Sequence, residues 1–265
     1  MLRLSLYAFA LLVSIQSIYV SNVEASTTIA DEESSSHLSD AIKNEWISAI
    51  GNDRVDQLTA LRDQHNVSEL LKITASNGKS ALMVASKKGD LALAKSLVKG
   101  GASIHDLTIT QGTAFMFAIL GDQRPLVEWL YDEGADINVV GSNGWTALTI
   151  AAAKGNAELL QWLLARDAKA QIRDVYRYTP MLRAVDNGYL NTAGILLELP
   201  DTDVNAQDEY DNTALHHAVS AGNRDMVALL LSKGANPDIK NRQAMSAREL
   251  AEGLSDLESV FQPLQ

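Results

Sequence analysis

Along most of this chain, apolar residues fall in a two-helix pattern that restarts about every 33 residues. One unit shows it in full: Asn143-Gly144-Trp145-Thr146-Ala147-Leu148-Thr149-Ile150-Ala151-Ala152-Ala153-Lys154-Gly155. Asn-Gly predicts a turn. The Thr146 hydroxyl predicts a cap for the helix that follows, and Gly155 a left-handed residue that ends it. Leu148, Ala151 and Ala152 share one face of that helix. Leu159, Leu160, Leu163 and Leu164 then recur at helical spacing, predicting a second helix, and 167–171 reads as the loop to the next turn. The equivalent capping positions are Ser80, Thr113, Thr146, Thr179, Thr213 and Ser246, separated by 33, 33, 33, 34 and 33 residues. Neither helix can bury its apolar stripe alone, so the units must stack.

Tetrapeptides such as Thr146-Ala147-Leu148-Thr149, Thr179-Pro180-Met181-Leu182 and Thr213-Ala214-Leu215-His216 carry a resemblance. So do the closing segments Gly134-Ala135-Asp136-Ile137-Asn138 and Gly234-Ala235-Asn236-Pro237-Asp238. At this period they resemble the ankyrin-repeat family. The resemblance covers about residues 41–265 and implies an all-α solenoid of stacked helix–turn–helix units with short hairpin loops. It divides into an N-terminal cap at 41–75, with helices over 41–51 and 53–62, and repeats at about 76–107, 108–140, 141–173, 174–207 and 208–240. A C-terminal cap follows at 241–265. Asp53 and Asp122 stand where other units have Gly89, Gly155, Gly188 and Gly222. Asp tolerates the left-handed region better than most residues, so both turns should survive.

Ahead of the repeats, Arg3, the apolar run 4–13 and the small residues around Val23-Glu24-Ala25 predict a secretory signal peptide cut after Ala25. A membrane anchor is the alternative, but the run falls short of the roughly 20 apolar residues of a span. Ser14, Gln16 and Ser17 also interrupt it. No membrane span is expected after cleavage, and export to a bacterial periplasm or to the medium is the expectation. Residues 26–40, polar and acidic, read as a flexible spacer. The chain has no cysteine, so neither a disulfide nor a thiolate metal site is available and stability rests on the core. A net charge of −11, unchanged when Arg3 and Glu24 leave with the leader, argues against nucleic acid and permits a basic partner.

The five histidines are His37, His65, His105, His216 and His217. The last two are adjacent, so they cannot form a metal site at helical i, i+4 spacing. No His-Glu-x-x-His, Gly-x-Ser-x-Gly or phosphate-binding glycine loop occurs. No catalytic residue, metal or cofactor is therefore expected. The resemblance implies that His216 bridges neighbouring repeats by hydrogen bonds to backbone. Asn66-Val67-Ser68 fits a glycosylation sequon, a tripeptide common by chance.

Candidate binding residues come from the turns. Trp145 and Tyr178 lie one residue before a capping Thr, and Tyr176 and Tyr210 three before. In ankyrin stacks these offsets are fingertips beside a concave face where partners are gripped. Four aromatics there read as a hot spot, or alternatively as rings that pack together and stiffen the hairpins. Asp174, Asp186, Asp208, Glu209 and Asp211 surround them, which favours a partner with a basic, partly apolar patch. Arg183 occupies a helical position held elsewhere by Val84, Phe117, Ile150 and Leu250, with His217 there in the next repeat. Such residues either form a satisfied polar pair or line the concave surface; we expect the second. Trp129, Trp162, Phe115 and Phe117 sit at core spacing. The expected binding set is Trp145, Tyr176, Tyr178, Arg183, Asp186, Glu209 and Tyr210.

The resemblance thus implies a monomeric, non-enzymatic scaffold that masks or stabilises a partner protein, as an immunity-type inhibitor or a support for an exported antioxidant enzyme. A small-ligand module built on Asp186, Arg183 and His217 and a secreted host-directed effector are the rival readings.

Overall fold

A computed structural model of the protein describes residues 38–261. The expected leader, residues 26–37 of the spacer and residues 262–265 lie outside the described residues.

Helices α1 (Asp40–Gly51) and α2 (Val55–Gln64) open the stack, followed by a single turn, α3 (Val67–Leu70). Five helix pairs come next: α4 (Ala81–Lys88) with α5 (Leu91–Lys99), α6 (Ala114–Leu120) with α7 (Arg124–Asp132), and α8 (Ala147–Lys154) with α9 (Ala157–Leu164). The remaining two are α10 (Pro180–Asp186) with α11 (Leu190–Leu197), and α12 (Ala214–Ser220) with α13 (Arg224–Ser232). Helices α14 (Ala247–Ala251) and α15 (Ser255–Phe261) close the described chain. Each first helix packs on the first helix of the next unit, from α4 through α14.

The repeating tetrapeptide explains this order. The hydroxyls of Thr113, Thr146 and Thr179 accept the backbone N–H groups of Met116, Thr149 and Leu182 at 3.1, 3.2 and 3.2 Å, capping three first helices. The third tetrapeptide residue, Leu82, Phe115, Leu148, Met181 or Leu215, is fully buried and forms a continuous row through the stack. Arg248 takes that place in the last unit. It is exposed and bonds Asp238 at 2.8 Å, so the apolar row stops at Leu215. Trp162 is also buried, under the edge of Tyr131 (5.4 Å between centroids) and the guanidinium of Arg166 at 3.9 Å.

In the N-terminal cap Asp53 takes the left-handed turn expected of it, at φ 54°, and for that reason the second helix begins at Val55 rather than at 53 as expected. The Asp53 carboxylate accepts from Lys79 at 2.7 Å and Lys87 at 2.8 Å, tying the cap to the first full repeat. Burial works against its charge, but the two ammonium groups outweigh it and hold the carboxyl below its usual range. Asp122 is left-handed as well, at φ 58°.

Between units the chain forms hairpin tips joined in series by backbone hydrogen bonds. Ser142 donates to the carbonyl of Thr110 (2.9 Å), Val175 to Asn143 (3.0 Å), Glu209 to Tyr176 (3.0 Å) and Arg242 to Tyr210 (3.0 Å). The tips pack so closely that a Cβ on Gly144, at φ 82°, would lie 2.5 Å from the Asp174 Cα. Only glycine fits there.

Candidate functional site

Asp174 lies five residues before its capping Thr179 and does two jobs. Its Oδ1 accepts the backbone N–H groups of Tyr176 and Tyr178, both at 2.9 Å, which shapes the hairpin tip. Its Oδ2 accepts from Arg183, from Nε at 2.9 Å and also from Nη2. Both residues are buried, Asp174 to 5% exposure and Arg183 to 6%. The Arg183 guanidinium lies 4.0 Å from the Tyr178 ring centroid, 5.3 Å from Trp145 and 6.0 Å from Tyr176. Aromatic faces and one carboxylate thus replace the water that this cation gives up.

The next repeat uses the same offsets. Asp208 lies five residues before Thr213, and its Oδ1 accepts from the backbone of Tyr210 (2.8 Å) and Asn212 (2.9 Å). Its Oδ2 meets His217 Nε2 at 2.9 Å, while His217 Nδ1 lies 3.3 Å from Asp186 Oδ1. Burial disfavours the imidazolium. The carboxylates on both ring nitrogens outweigh it and push the His217 pKa up to about 9. Burial likewise opposes the charge on Asp208, but the bond from His217 and the backbone donors hold its carboxyl low. The Tyr178 hydroxyl, 3.4 Å from His217 Nε2, ionises only far above its ordinary range because of burial and the nearby Asp186 and Asp208 charges.

These contacts correct three expectations. Arg183 does not line the surface: it is half of a buried ion pair, and its partner is the aspartate of its own repeat. Trp145 and Tyr178 are half-buried and cover that guanidinium, whereas Tyr176 and Tyr210 are 42% and 58% exposed. The acidic cluster is not an acidic surface. Asp174 and Asp208 are buried against cations, Asp186 shares His217, and Asp211 lies between Arg177 (3.1 Å) and Arg242 (3.4 Å). Counted together, the carboxylates Asp174, Asp186, Asp208, Glu209 and Asp211 and the cations Arg173, Arg177, Arg183, His217 and Arg242 balance to a net charge of zero (5 − 5). Glu209 is half-buried, and its side chain makes no hydrogen bond or ion pair among the described residues.

The sequence signal for the Asp174 pairing was present: Asp five residues before the cap together with a cation four after it. The preceding units have Ala75 with Val84, Thr108 with Phe117 and Gly141 with Ile150 at these two places. His216 behaves as the resemblance implied. Thr213 N–H donates to its Nδ1 at 3.1 Å, which leaves Nε2 as donor to the Met245 carbonyl of the next unit at 3.1 Å.

Models of this repeat architecture match nearly the whole described chain. The one described as ankyrin repeats (3 copies) matches residues 46–141 and 115–208, and the single ankyrin repeat matches 210–242. The chain belongs to the ankyrin-repeat family. Mouse inversin is 29% identical over 182 residues, which is 67% of this ankyrin chain and 17% of inversin. The probable 26S proteasome regulatory subunit p28 of Saccharomyces cerevisiae is 32% identical over 142 residues, 52% of this chain and 62% of that protein. The chain therefore matches less than two thirds of either relative's length. The human ASB11 ankyrin repeat domain superposes with a TM-score of 0.68 at 26% identity, covering 81% of this chain and 95% of that one. Among the described residues no three His, Asp or Glu side chains are grouped to hold a metal ion, and no helix is long and apolar enough to cross a membrane.

Proposed function

We propose that this ankyrin stack is an exported protein-binding scaffold that grips one partner through the hairpin tips of residues 174–242, with Tyr176 and Tyr210 as anchors. Ankyrin repeats are protein–protein interaction scaffolds. The observation that carries the site is the exposure of these two rings on backbone held rigid by Asp174 and Asp208. A preorganised exposed tyrosine loses little freedom on binding. Binding of this kind masks or stabilises the partner, the role shared by an immunity-type inhibitor and a support for an exported enzyme.

The test is affinity capture from an extract of the protein's source, comparing the native chain with Tyr176→Ala/Tyr210→Ala. Trp145 and Tyr178 are left intact because they cover Arg183. Each anchor is worth about 2 kcal/mol, so the double variant should lose one captured protein while its thermal stability is kept. Equal capture by both chains would move the site elsewhere on the stack.

The apolar run 4–13 behind Arg3, ahead of Ala25, supports export. A reporter fused after residue 40 should leave the cytoplasm and should stay there once 4–13 are deleted. Retention of the intact fusion in the cytoplasm overturns the export reading.

A further inference from the structure

We infer that the partner surface gripped by these tips is acidic: the patch formed by Arg173, Val175, Tyr176, Arg177, Tyr210 and Arg242 recognises a protein segment that carries carboxylates beside apolar side chains. The inference rests on the tip-binding reading above and adds the partner's chemistry to it. All six residues are exposed, Val175 to 58%, and they lie on three successive tips that are joined by the Glu209–Tyr176 and Arg242–Tyr210 backbone bonds.

The charges decide the sign. Asp211 accepts from Nη1 of Arg177 at 3.1 Å and Nε of Arg242 at 3.4 Å, so two guanidiniums share one carboxylate. Arg173 donates from Nη1 to the Gln207 carbonyl at 3.3 Å and has no carboxylate within ion-pair distance among the described residues. A guanidinium carries five N–H donors in a planar fork, so most of the donors on these three remain for an incoming group. Three arginines against Asp211 and Glu209 leave the tips at +1 (3 − 2), on a chain of net charge −11. Asp174 and Asp208 are buried against Arg183 and His217, and Asp186, which shares His217, lies half-buried off the tips at the end of α10.

An acidic segment is therefore repelled by most of the molecule and admitted at this patch. That sets orientation and association rate as well as affinity. Exposed Tyr beside Arg is also the composition of binding hot spots. A long polyanion such as nucleic acid would extend beyond this small patch over a chain of net charge −11, so a short protein segment is the better match.

The test is selection of a random displayed-peptide library on the purified full chain. Enriched peptides should combine Asp or Glu with aliphatic or aromatic residues. A synthetic peptide from that pool should lose affinity by about tenfold or more on Arg173→Glu/Arg177→Glu/Arg242→Glu, and should weaken as salt is raised. The Arg→Gln triple variant, which removes charge without adding repulsion, should give a smaller loss in the same direction, with circular dichroism confirming that both variants fold. An absence of enriched peptides, neutral or basic pools, or acidic peptides indifferent to both variants would each overturn the inference. Basic pools that still require Tyr176 and Tyr210 would overturn it while leaving the tip-binding reading intact. Equal or tighter binding of a thymidine oligonucleotide by the same arginines would assign the patch to nucleic acid and overturn it too.

Discussion

Asp174→Ala is expected to destabilise the stack by about 3–5 kcal/mol, since it strips the counter-charge from a buried guanidinium. Arg183 is 6% exposed, and its charge would be left facing only the rings of Tyr178, Trp145 and Tyr176. The hairpin N–H groups of Tyr176 and Tyr178 lose their acceptor in the same change. For a domain of this size the melting temperature should fall by roughly 2–4 °C per kcal/mol. Because a repeat array unfolds by neighbouring units, the loss should appear first as faster amide exchange in α10 and α12.

The decisive companion is Asp174→Asn/Arg183→Ile. Asn keeps the hairpin acceptor, as Asn241 does for Gln243 (3.0 Å) and Met245 (3.1 Å), and Ile is what repeat 141–173 has at Ile150. Replacing a buried pair by apolar packing is often neutral or stabilising, so the double variant should recover most of the loss in equilibrium urea unfolding. An Asp174→Ala protein within about 1 kcal/mol of the native chain would mean that the Arg183 charge is solvated by another route.

What was legible in the sequence divides by the range of the interaction. The capping threonines, the buried Leu row and the hairpin offsets are local, and they follow from spacing alone. The placement of Tyr176 and Tyr210 on exposed tips was readable for the same reason. The fate of Arg183 was not. Its surroundings come from two hairpins, with Trp145 on one tip and Tyr176, Tyr178 and Asp174 on the next, and no periodicity states which way a side chain nine residues from its partner will turn. The error about surface charge has the same origin. A count of Asp and Glu near the aromatics cannot tell a carboxylate that caps a tip and binds a cation underneath from one that faces solvent. Asp174 and Asp208 do the first, and at two adjacent repeats the pairing of positions five before and four after the cap was the readable trace of it.

Stability should also fall on the alkaline side through His217. Its folded pKa of about 9 lies above the ordinary 6.5 of the unfolded chain. The contribution is therefore complete below about pH 6.5 and is lost as pH rises through about 9, a difference on the order of 3 kcal/mol. Asp208 runs the other way: its lowered pKa adds stability above the usual carboxylate range and loses it as pH falls through the folded value. The groups facing the imidazole are Asp186 from α10, Asp208 from its own hairpin and Tyr178 from the preceding one. Tyr178 ionises too high to take part. The quantity to measure is the stability gap between the native chain and His217→Gln, which isolates the imidazole. The gap should be widest near pH 6 and should close by about pH 10. A gap that stays constant with pH would show that the imidazole is neutral in the fold. Near neutral pH the ring is then charged between two carboxylates, a counter-ion that keeps Asp208, and with it the Tyr210 hairpin, in place.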